Sequence, residues 1–497
     1  MTTRRKTLLM ISAVCLLTGI TSVPSGFAQR ADDTATLATL VESERARSLA
    51  SSEKGGCNAS LTSVAAFDGA ALPSPPSFTV LQGDLITSDV GEKIAAAYRD
   101  GYAGFQKGDL NAAVGGFERA YALNPKDDLT VYFIAAIYGI IGNKPAALEW
   151  LGRLAAMNSC FIPSPSTFAK ISDAEEFKRL AQAIEAGAAR VNRSDVAFIV
   201  PEKDLIPEGM AFDPTGKAFY LSSLHKRKIV KVMPGVPGGP PAIEDFTTEG
   251  QDGLYSTLGM KIDAKRRVLW VVSSAQTRMK GYAEQDKGRT AVFKYDLVSK
   301  KLIKKYPLGP EPSHFFNDLA INPNGDVFLT DEASGEIHTI AQSRGELEVF
   351  IPAGRFASPN GITISANGRK LFVADVQLGV YVIDLKTKRV SRLTQPQGIS
   401  PAGIDGLYFH DNSLIGILHV AGRGRVARFH LNSSLDGITR AEIVECNNPH
   451  FQQPTTGTLA GGWLYYIANS QFESFNPDRT IFSPEKLKDV VILKTRL

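Results

Sequence analysis

Four oxygen-bearing side chains occupy the same position in a pattern that recurs along the C-terminal part of the chain. They are Glu208 in PEG, Asn317 in FND, Asn360 in PNG and Asp405 in IDG. Two carboxylates and two amide oxygens form a ligand set that suits a hard divalent cation, Ca²⁺ before Mg²⁺ or Mn²⁺. Because the set contains no Cys or His, ligand softness argues against zinc. Without a cation, Glu208 and Asp405 would repel each other at close range.

Each of these residues alone has a simpler interpretation. Asn-Gly and Asp-Gly are common hairpin-turn dipeptides, and Pro-Glu-Gly also suits a turn. The shared position favours the ligand hypothesis, because Asn324 and Asn367, each followed by Gly, fall at a different point of the pattern. At the ligand position the two remaining repeats carry Leu258 and Thr456, which we expect to shape the cavity.

The pattern itself is a small or polar pair, an apolar strand, a turn and a second apolar strand. Its anchor residues recur every 43 to 59 residues, a spacing that suits a four-stranded propeller blade. The anchors are Gly209, Gly259, Asp318, Gly361, Gly406 and Gly457. The sequence therefore predicts a mainly β fold, with a six-bladed β-propeller over residues 196–497. Residues 489–497 and 197–200 can close the ring in one blade, which removes open sheet edges.

A propeller explains why the four oxygen-bearing residues would meet. The start of the innermost strand of each blade faces the central channel, so residues at that phase converge although they are distant in sequence.

Residues 91–193 have a helical rather than a β-type sequence pattern, and they predict a small all-α domain. Five positions with small or large apolar residues recur after 34 residues. They are Gly101, Gly108, Ala113, Phe117 and Ala120, matched by Ala135, Gly142, Ala147, Leu151 and Leu154. The region resembles two tetratricopeptide repeats, 94–127 and 128–161, with a capping helix over 173–193. Such a short array either binds a protein partner or packs on the neighbouring domain.

Composition and the first residues limit the function classes. The chain has 497 residues, with 55 Lys and Arg against 51 Asp and Glu, and this near-balance excludes a typical nucleic-acid binder. Residues 1–28 have the basic and apolar order of a secretory signal peptide, with cleavage expected after Ala28; a retained membrane anchor is the alternative. Residues 29–90 predict a flexible segment or linker. We therefore expect a periplasmic or secreted protein without stable membrane insertion.

Three cysteines remain after the predicted leader. Cys57, Cys160 and Cys446 allow one disulfide in an oxidising compartment and leave one thiol. Cys57 and Cys160 are the favoured pair, because both flank the helical region. Without a CxxC motif or a nearby His, the three cysteines make no zinc site.

Several segments resemble the senescence-marker-protein/gluconolactonase family. They are PEGMAFDP, NDLAINPNGDVFLTDE, SPNGITISANGRKLFVAD and GIDGLYFHDNSLIGI, and the resemblance covers roughly residues 200–497. It implies that Glu208, Asn360 and Asp405 bind a divalent metal and that Asn317 contacts both substrate and metal. The helical region and the final blade, QPTTGTLAGGWLYYIANSQ, depart from the family and leave the substrate open.

The leading hypothesis is a metal-dependent hydrolase of lactones or similar small esters. A tunnel cation, Ca²⁺ first and Mg²⁺, Mn²⁺ or Zn²⁺ as alternatives, would polarise the carbonyl of a small-molecule substrate as a Lewis acid. Asp405 is the first candidate for the base, by analogy with the family. His314, three residues before Asn317, is the second, although a surface-loop histidine is its simpler interpretation. GxSxG, HExxH and P-loop motifs are absent from the sequence.

Two other hypotheses remain open. The propeller could be non-catalytic, with its metal as a structural pin and the helical repeats binding a protein partner. Alternatively, the same metal could serve another reaction, such as phosphotriester hydrolysis or isomerisation. The loops above the channel decide among substrates, and their geometry is not readable from the sequence.

Overall fold

The computed structural model describes residues 85–497, apart from 158, 236–239, 399 and 420–423. The predicted signal peptide, nearly all of the predicted linker and Cys57 lie outside the described residues. Within them, a layer of helices precedes six four-stranded sheets, and both belong to one compact unit.

Five α-helices lie between residues 88 and 187 in the described part of the chain. They are α1 (Ser88–Gln106), α2 (Leu110–Leu123), α3 (Asp128–Ile141), α4 (Lys144–Ala155) and α5 (Glu175–Gly187). Side chains of Thr87, Asp109, Asp127 and Asn143 accept hydrogen bonds from the first turns of α1 to α4, which explains where these helices begin. The likeness to tetratricopeptide repeats stays a prediction.

The glycines of the helical pattern allow the first two helices to touch. A Cβ on Gly104 would lie 2.6 Å from the backbone nitrogen of Ala113, and one on Gly116 would lie 2.4 Å from that of Gly101. Only glycine fits at such a distance, so α1 and α2 pack backbone to backbone. The aromatic side chain of Phe117 then fills the space beside Tyr102, with ring centres 5.2 Å apart.

The prediction of six blades is confirmed, and each blade is an antiparallel sheet of four strands. Blades one and two contain β3 (Met210–Asp213), β4 (Ala218–Ser223), β5 (Lys228–Met233), β6 (Ala242–Thr247), β7 (Ser256–Asp263), β8 (Val268–Ser274), β9 (Thr290–Asp296) and β10 (Leu302–Leu308). Blades three and four contain β11 (Phe316–Ile321), β12 (Val327–Asp331), β13 (Glu336–Ile340), β14 (Leu347–Ile351), β15 (Pro359–Ile364), β16 (Lys370–Asp375), β17 (Gly379–Asp384) and β18 (Val390–Arg392). Blade five contains β20 (Ile404–His410), β21 (Ser413–Leu418), β22 (Arg425–Leu431) and β23 (Ile438–Cys446).

Blade six joins the two ends of the propeller, as predicted. It contains β24 (Gly457–Ala460), β25 (Trp463–Ile467), β26 (Val490–Arg496) and, as its outer strand, β2 (Asp195–Val200). The ladder between β2 and β26 is antiparallel. A further pair of short strands joins β1 (Leu85–Ile86), which precedes the helices, to β19 (Gln395–Pro396), which lies between blades four and five in sequence.

The second strand of a blade packs against neighbouring blades on both faces. Accordingly β4, β8, β12 and β21 are buried along their whole length. Their sequences, such as VLWVVSS and SLIGIL, are nearly continuous apolar runs because neither face meets water. The fourth strands β6 and β10 are largely exposed and carry charged residues, as outer edges require.

The helical layer is fastened to the propeller by covalent and ionic contacts. Cys160 forms a disulfide with Cys446 at the end of β23, with a Cα–Cα distance of 6.0 Å. The expected pairing of Cys160 with Cys57 is therefore wrong, since the partner is 286 residues away in sequence and adjacent only in the fold. Arg425, almost completely buried, donates to Asp128 at 3.0 Å and lies over the ring of Phe161.

Among the described residues, no helix has the length and apolar character needed to cross a membrane.

Candidate metal and active site

Three blades place their oxygen-bearing residues inside the first strand, and the first blade does so just before it. Glu208 precedes β3, while Asn317, Asn360 and Asp405 lie in β11, β15 and β20. All four side chains line one cavity. Its lining consists of Glu208, Leu224, Leu258, Phe315, Asn317, Asn360, Asp405, His419 and Phe472. The structure thus brings together the four residues that the repeat phase selected, with Leu258 beside them as expected.

Bulges in the first strands turn these side chains toward the channel. The pairing register shifts between Phe316 and Leu319 in β11, and the corresponding shift in β15 encloses Asn360. In β20 the shift encloses Asp405. A β-bulge re-aims the side chain at the inserted position, and such bulges occur next to functional sites. The local irregularity therefore delivers one oxygen ligand from each of blades three, four and five.

The glycines after these residues serve close packing. A Cβ on Gly361 would lie 2.2 Å from the carbonyl oxygen of Asp405, and one on Gly209 would lie 1.9 Å from that of Leu258. Neither glycine has a positive φ, whereas Gly325 in a true turn has φ of 94°. The glycines let first strands of neighbouring blades approach at the channel, so the turn interpretation does not apply to them.

One oxygen of each of the four residues has no hydrogen-bond partner among the described protein atoms. These buried atoms are Glu208 Oε2, Asn317 Oδ1, Asn360 Oδ1 and Asp405 Oδ1. Burying an unsatisfied acceptor costs about 1–3 kcal/mol, and more for a charged one. The cavity has a volume of about 10 Å³, which is room for one water or one ion. Four acceptors around a space of this size fit a single hard cation.

Burial and like charge raise the pKa of the central carboxyl group. The pKa of Glu208 is raised well above its usual range, first by burial and then by the charges of Asp405 and Asp318, with Lys261 acting in the opposite direction. Burial also raises the pKa of Asp318, which Lys261 moderates through a contact of 2.9 Å. A cation favours the charged form of a nearby carboxylate, so it would relieve this repulsion.

Two residues of the site were not selected from the sequence. His419 lines the cavity, and its Nε2 lies 2.9 Å from Asp405 Oδ2. Glu332 accepts a hydrogen bond of 2.9 Å from the Asn317 amide nitrogen and one of 3.0 Å from Ser358. The first of these bonds turns the oxygen of Asn317 toward the cavity. Burial raises the pKa of Glu332 to about 7 even though both bonds favour its charged form.

A second phase of the repeat would have found them. Glu332 directly follows β12 and His419 directly follows β21, so each is the residue after the second strand of its blade. Leu224 holds the same place after β4 and also lines the cavity. Both residues stand at the end of their aligned repeat segments, so the repeat itself carries the pattern that identifies them.

His314, the second candidate for the base, faces a carboxylate of its own blade. Its Nδ1 lies 2.5 Å from Oδ2 of Asp331, and the residue lies outside the cavity lining described above. Thr456, which was expected to shape the cavity, is not part of its lining; its hydroxyl donates to the backbone carbonyl of Glu208.

Comparisons with known proteins yield likenesses of structure only. No family model matches the sequence, and no curated protein matches it. Similar solved structures include a calcium-binding regucalcin from Agrobacterium tumefaciens, with 16% identity, a TM-score of 0.41, and coverage of 61% of this chain and 96% of that one. A putative gluconolactonase shows 14% identity, a TM-score of 0.38 and coverage of 62% and 92%. A streptogramin B lyase shows 14% identity, a TM-score of 0.40 and coverage of 60% and 96%.

Proposed function

We propose that the protein is a metal-dependent hydrolase of lactones or similar small esters. The observation that carries the proposal is the set of four partnerless buried oxygens around one ion-sized cavity. Glu208, Asn360 and Asp405 would hold a divalent cation, with Asn317 as a further ligand that faces the substrate. Ca²⁺ is the first choice, because all four donors are oxygens. A bound cation of this kind supplies Lewis acidity toward a carbonyl oxygen.

The side chains around the cavity supply proton handling and orientation. With Nε2 of His419 donating to Asp405, the basic nitrogen of that imidazole is Nδ1, the group that can take a proton from an attacking water. Asp405 holds the ring in this tautomer. Phe315 and Phe472 give the cavity an apolar wall that limits access of bulk water.

His419 replaces His314 as the first histidine candidate for the base, because His419 lines the cavity. His314 stays the second candidate. Replacing each by Gln compares them: the true base should lower the rate by about 10²–10⁴-fold, the usual contribution of a positioned acid–base group. The Ca²⁺ affinity of the cavity should fall by no more than the roughly 10–100-fold cost of losing a contact behind a metal ligand.

One observation favours a second function, a metal-pinned scaffold without catalysis. The cavity has room for one ion but not for a lactone, and Leu224, Phe315 and Phe472 in its lining are buried. In this alternative the metal locks four blades together and the helical layer binds a protein partner.

A lactone panel separates the two functions. The full chain is freed of metal with a chelator and assayed with Ca²⁺, Mg²⁺, Mn²⁺ and Zn²⁺ in turn, beside Asp405→Asn and the matched control Asn324→Ala, an exposed turn residue. Metal-dependent turnover that Asp405→Asn abolishes and Asn324→Ala retains supports the hydrolase. Metal binding with no turnover on any lactone supports the scaffold. The absence of any metal binding would contradict both the hydrolase and the scaffold.

We further propose that the protein acts in the periplasm or outside the cell, on a small molecule. The disulfide between Cys160 and Cys446 supports this, because such bonds persist in oxidising compartments. Cell fractionation with mass spectrometry of the exported chain tests it, and recovery in the cytoplasm with residues 1–28 intact contradicts it.

A further inference from the structure

Blade three brings two imidazoles and two carboxylates together outside the cavity. The group is His314, Asp331, Glu336 and His338, whose ligand atoms all lie within 4.8 Å of one another. None of the four belongs to the cavity lining described above. We call this group the blade-three cluster.

The strand pairing of blade three builds the cluster. Asp331 at the end of β12 pairs directly with Glu336 at the start of β13. His338 lies two residues further along β13, so its side chain is on the same face of the sheet as that of Glu336. His314 comes from the segment before β11, where Phe316 pairs with Asp331. The paired strands β12 and β13 thus hold three of the groups in place, and the segment before β11 holds His314.

The contacts inside the cluster are those of groups that face a common point. His314 Nδ1 lies 2.5 Å from Asp331 Oδ2. His338 Nε2 lies 3.1 Å from Glu336 Oε2 and 3.4 Å from Asp331 Oδ2. Neither of these two contacts has hydrogen-bond geometry, and this nitrogen has no hydrogen-bond partner although His338 is only 3% exposed. A metal ion bound by this buried ring nitrogen and the two carboxylates would satisfy all three groups at once.

The backbone fixes the orientation of Asp331. Its Oδ1 accepts hydrogen bonds from the amides of Phe315 at 2.9 Å and Ser334 at 3.3 Å. Its Oδ2 is therefore left to the two imidazoles. Such outer contacts are what orient the ligands of metal centres.

We propose that the blade-three cluster is a structural site for Zn²⁺ or a similar borderline cation. Two imidazole nitrogens and two carboxylate oxygens form a four-ligand set of the kind that zinc takes, unlike the oxygen-only set of the cavity. The site joins β12, β13 and the segment before β11. Glu332, the residue after Asp331, bonds to Asn317, so the cluster also steadies one wall of the cavity. The proposal does not rest on the hydrolase function.

The rival interpretation is a metal-free network in which protonated histidines pair with the carboxylates. The two are separated by Co²⁺, which replaces Zn²⁺ and absorbs strongly in the visible when four-coordinate. The full chain is stripped with a chelator and titrated with Co²⁺, and Zn²⁺ is then added as competitor. We expect a four-coordinate Co²⁺ spectrum at one equivalent, which Zn²⁺ abolishes and excess Ca²⁺ does not.

Variants locate the site. His338→Gln and His314→Gln should each weaken Co²⁺ and Zn²⁺ binding by more than about 100-fold, beyond the 10–100-fold cost of losing an outer contact. The matched control is His430→Gln, because His430 Nε2 also lies 3.0 Å from a carboxylate, Glu442 Oε1, on the neighbouring strand. The control should bind Co²⁺ as the unmodified chain does.

Two results would overturn the proposal. One is the absence of a four-coordinate Co²⁺ spectrum in the unmodified chain, which needs no variant to fold. The other is an unchanged Co²⁺ affinity in a folded His338→Gln or His314→Gln chain.

Discussion

Glu208 is a glutamate whose surroundings disfavour its charge. Its carboxyl is buried, feels the charges of three other carboxyls, and leaves Oε2 without a partner among the described atoms. A cation is the simplest group that would compensate all three features, since it pairs with the charge and accepts the free oxygen as a ligand. Asp405 also leaves Oδ1 without a partner among the described atoms, while its second oxygen contacts His419.

Removal of a ligand should abolish the response of the protein to Ca²⁺. We expect the full chain to gain about 2.7 kcal/mol of unfolding free energy at a Ca²⁺ concentration 100 times the dissociation constant. Glu208→Gln and Asp405→Asn should lose this gain, because each neutralises a ligand. Asn324→Ala, in an exposed turn, should keep it. Thermal unfolding with and without Ca²⁺ measures the effect. Equal shifts of the thermal midpoint in all variants would show that Glu208 and Asp405 do not bind Ca²⁺.

The pair between Asp213 and Arg267 should control part of the acid stability. Burial alone would raise the pKa of Asp213, but hydrogen bonds from Arg267 and from the amide of Thr215 outweigh it and lower the pKa. A lowered folded-state pKa gives stability that is full above the unfolded value of about 3.9 and is lost as the pH falls through the folded value. Arg267→Met should therefore shift acid unfolding to higher pH.

At neutral pH the same variant should lose about 1–2 kcal/mol, as for a hydrogen bond to a charged group. Arg267 is partly exposed to solvent, so the loss stays below that of a fully buried pair. Urea unfolding at pH 7 and at pH 3 measures both effects. The control Arg344→Met breaks an exposed pair with Glu348 and should cost about 0.5 kcal/mol or less. An acid midpoint that stays in place in Arg267→Met would refute the coupling.

At the scale of the elements, the bulge in β15 and the glycine within it act together. The bulge turns Asn360 toward the channel, and Gly361 lets β15 approach β20 at the same level. The ligand position and the close contact are therefore inseparable, which explains why an oxygen-bearing residue and a small residue recur as a pair.

Gly361→Ala should damage the propeller far more than an ordinary glycine substitution. The added Cβ would lie 2.2 Å from the backbone oxygen of Asp405, and backbone cannot move aside as a flexible side chain can. We expect a loss of at least about 3 kcal/mol, the upper range for overpacking, together with weaker Ca²⁺ binding.

Gly152→Ala is the control for this substitution. Gly152 lies in α4, and nothing lies within 4 Å of the Cβ that would be added. It should stabilise the chain by about 0.5–1 kcal/mol through helix propensity. Urea unfolding measures the free energy of unfolding of both variants. If Gly361→Ala changes it no more than Gly152→Ala does, then β15 and β20 can move apart without cost.

The sequence predicted elements where local chemistry repeats. Alternating apolar strands and turn residues set the six blades, and the shared phase selected Glu208, Asn317, Asn360 and Asp405. Glu332 and His419 were not predicted because they occupy a second position of the repeat, directly after the second strand. The blade-three cluster also escaped, since a pairing register is needed to place Asp331 beside Glu336.

At the scale of the whole molecule, the helical layer and the propeller share a core. One apolar cluster contains residues of both, including Tyr102 and Phe133 from the helices and Phe356 and Tyr381 from blade four. The disulfide and the Arg425 pair lie along the same junction. Such contacts between distant parts of a chain leave no periodic trace in sequence, so neither the disulfide nor the buried arginine was predictable.

Removing the helical layer should therefore destabilise the propeller. In a chain that begins at residue 195, Arg425 loses Asp128 and the ring of Phe161, the disulfide is lost, and the apolar face of blade four becomes exposed. Because the guanidinium is uncovered to water at the same time, the destabilisation comes mainly from the exposed apolar surface and the lost cross-link. We expect a lower thermal midpoint and greater aggregation than for the full chain. Arg425→Met should destabilise the full chain but leave the shortened one nearly unchanged, because only the full chain offers Asp128 to the charge. A shortened chain as stable as the full one, with no effect of Arg425→Met in either, would show that the helices are a separable domain.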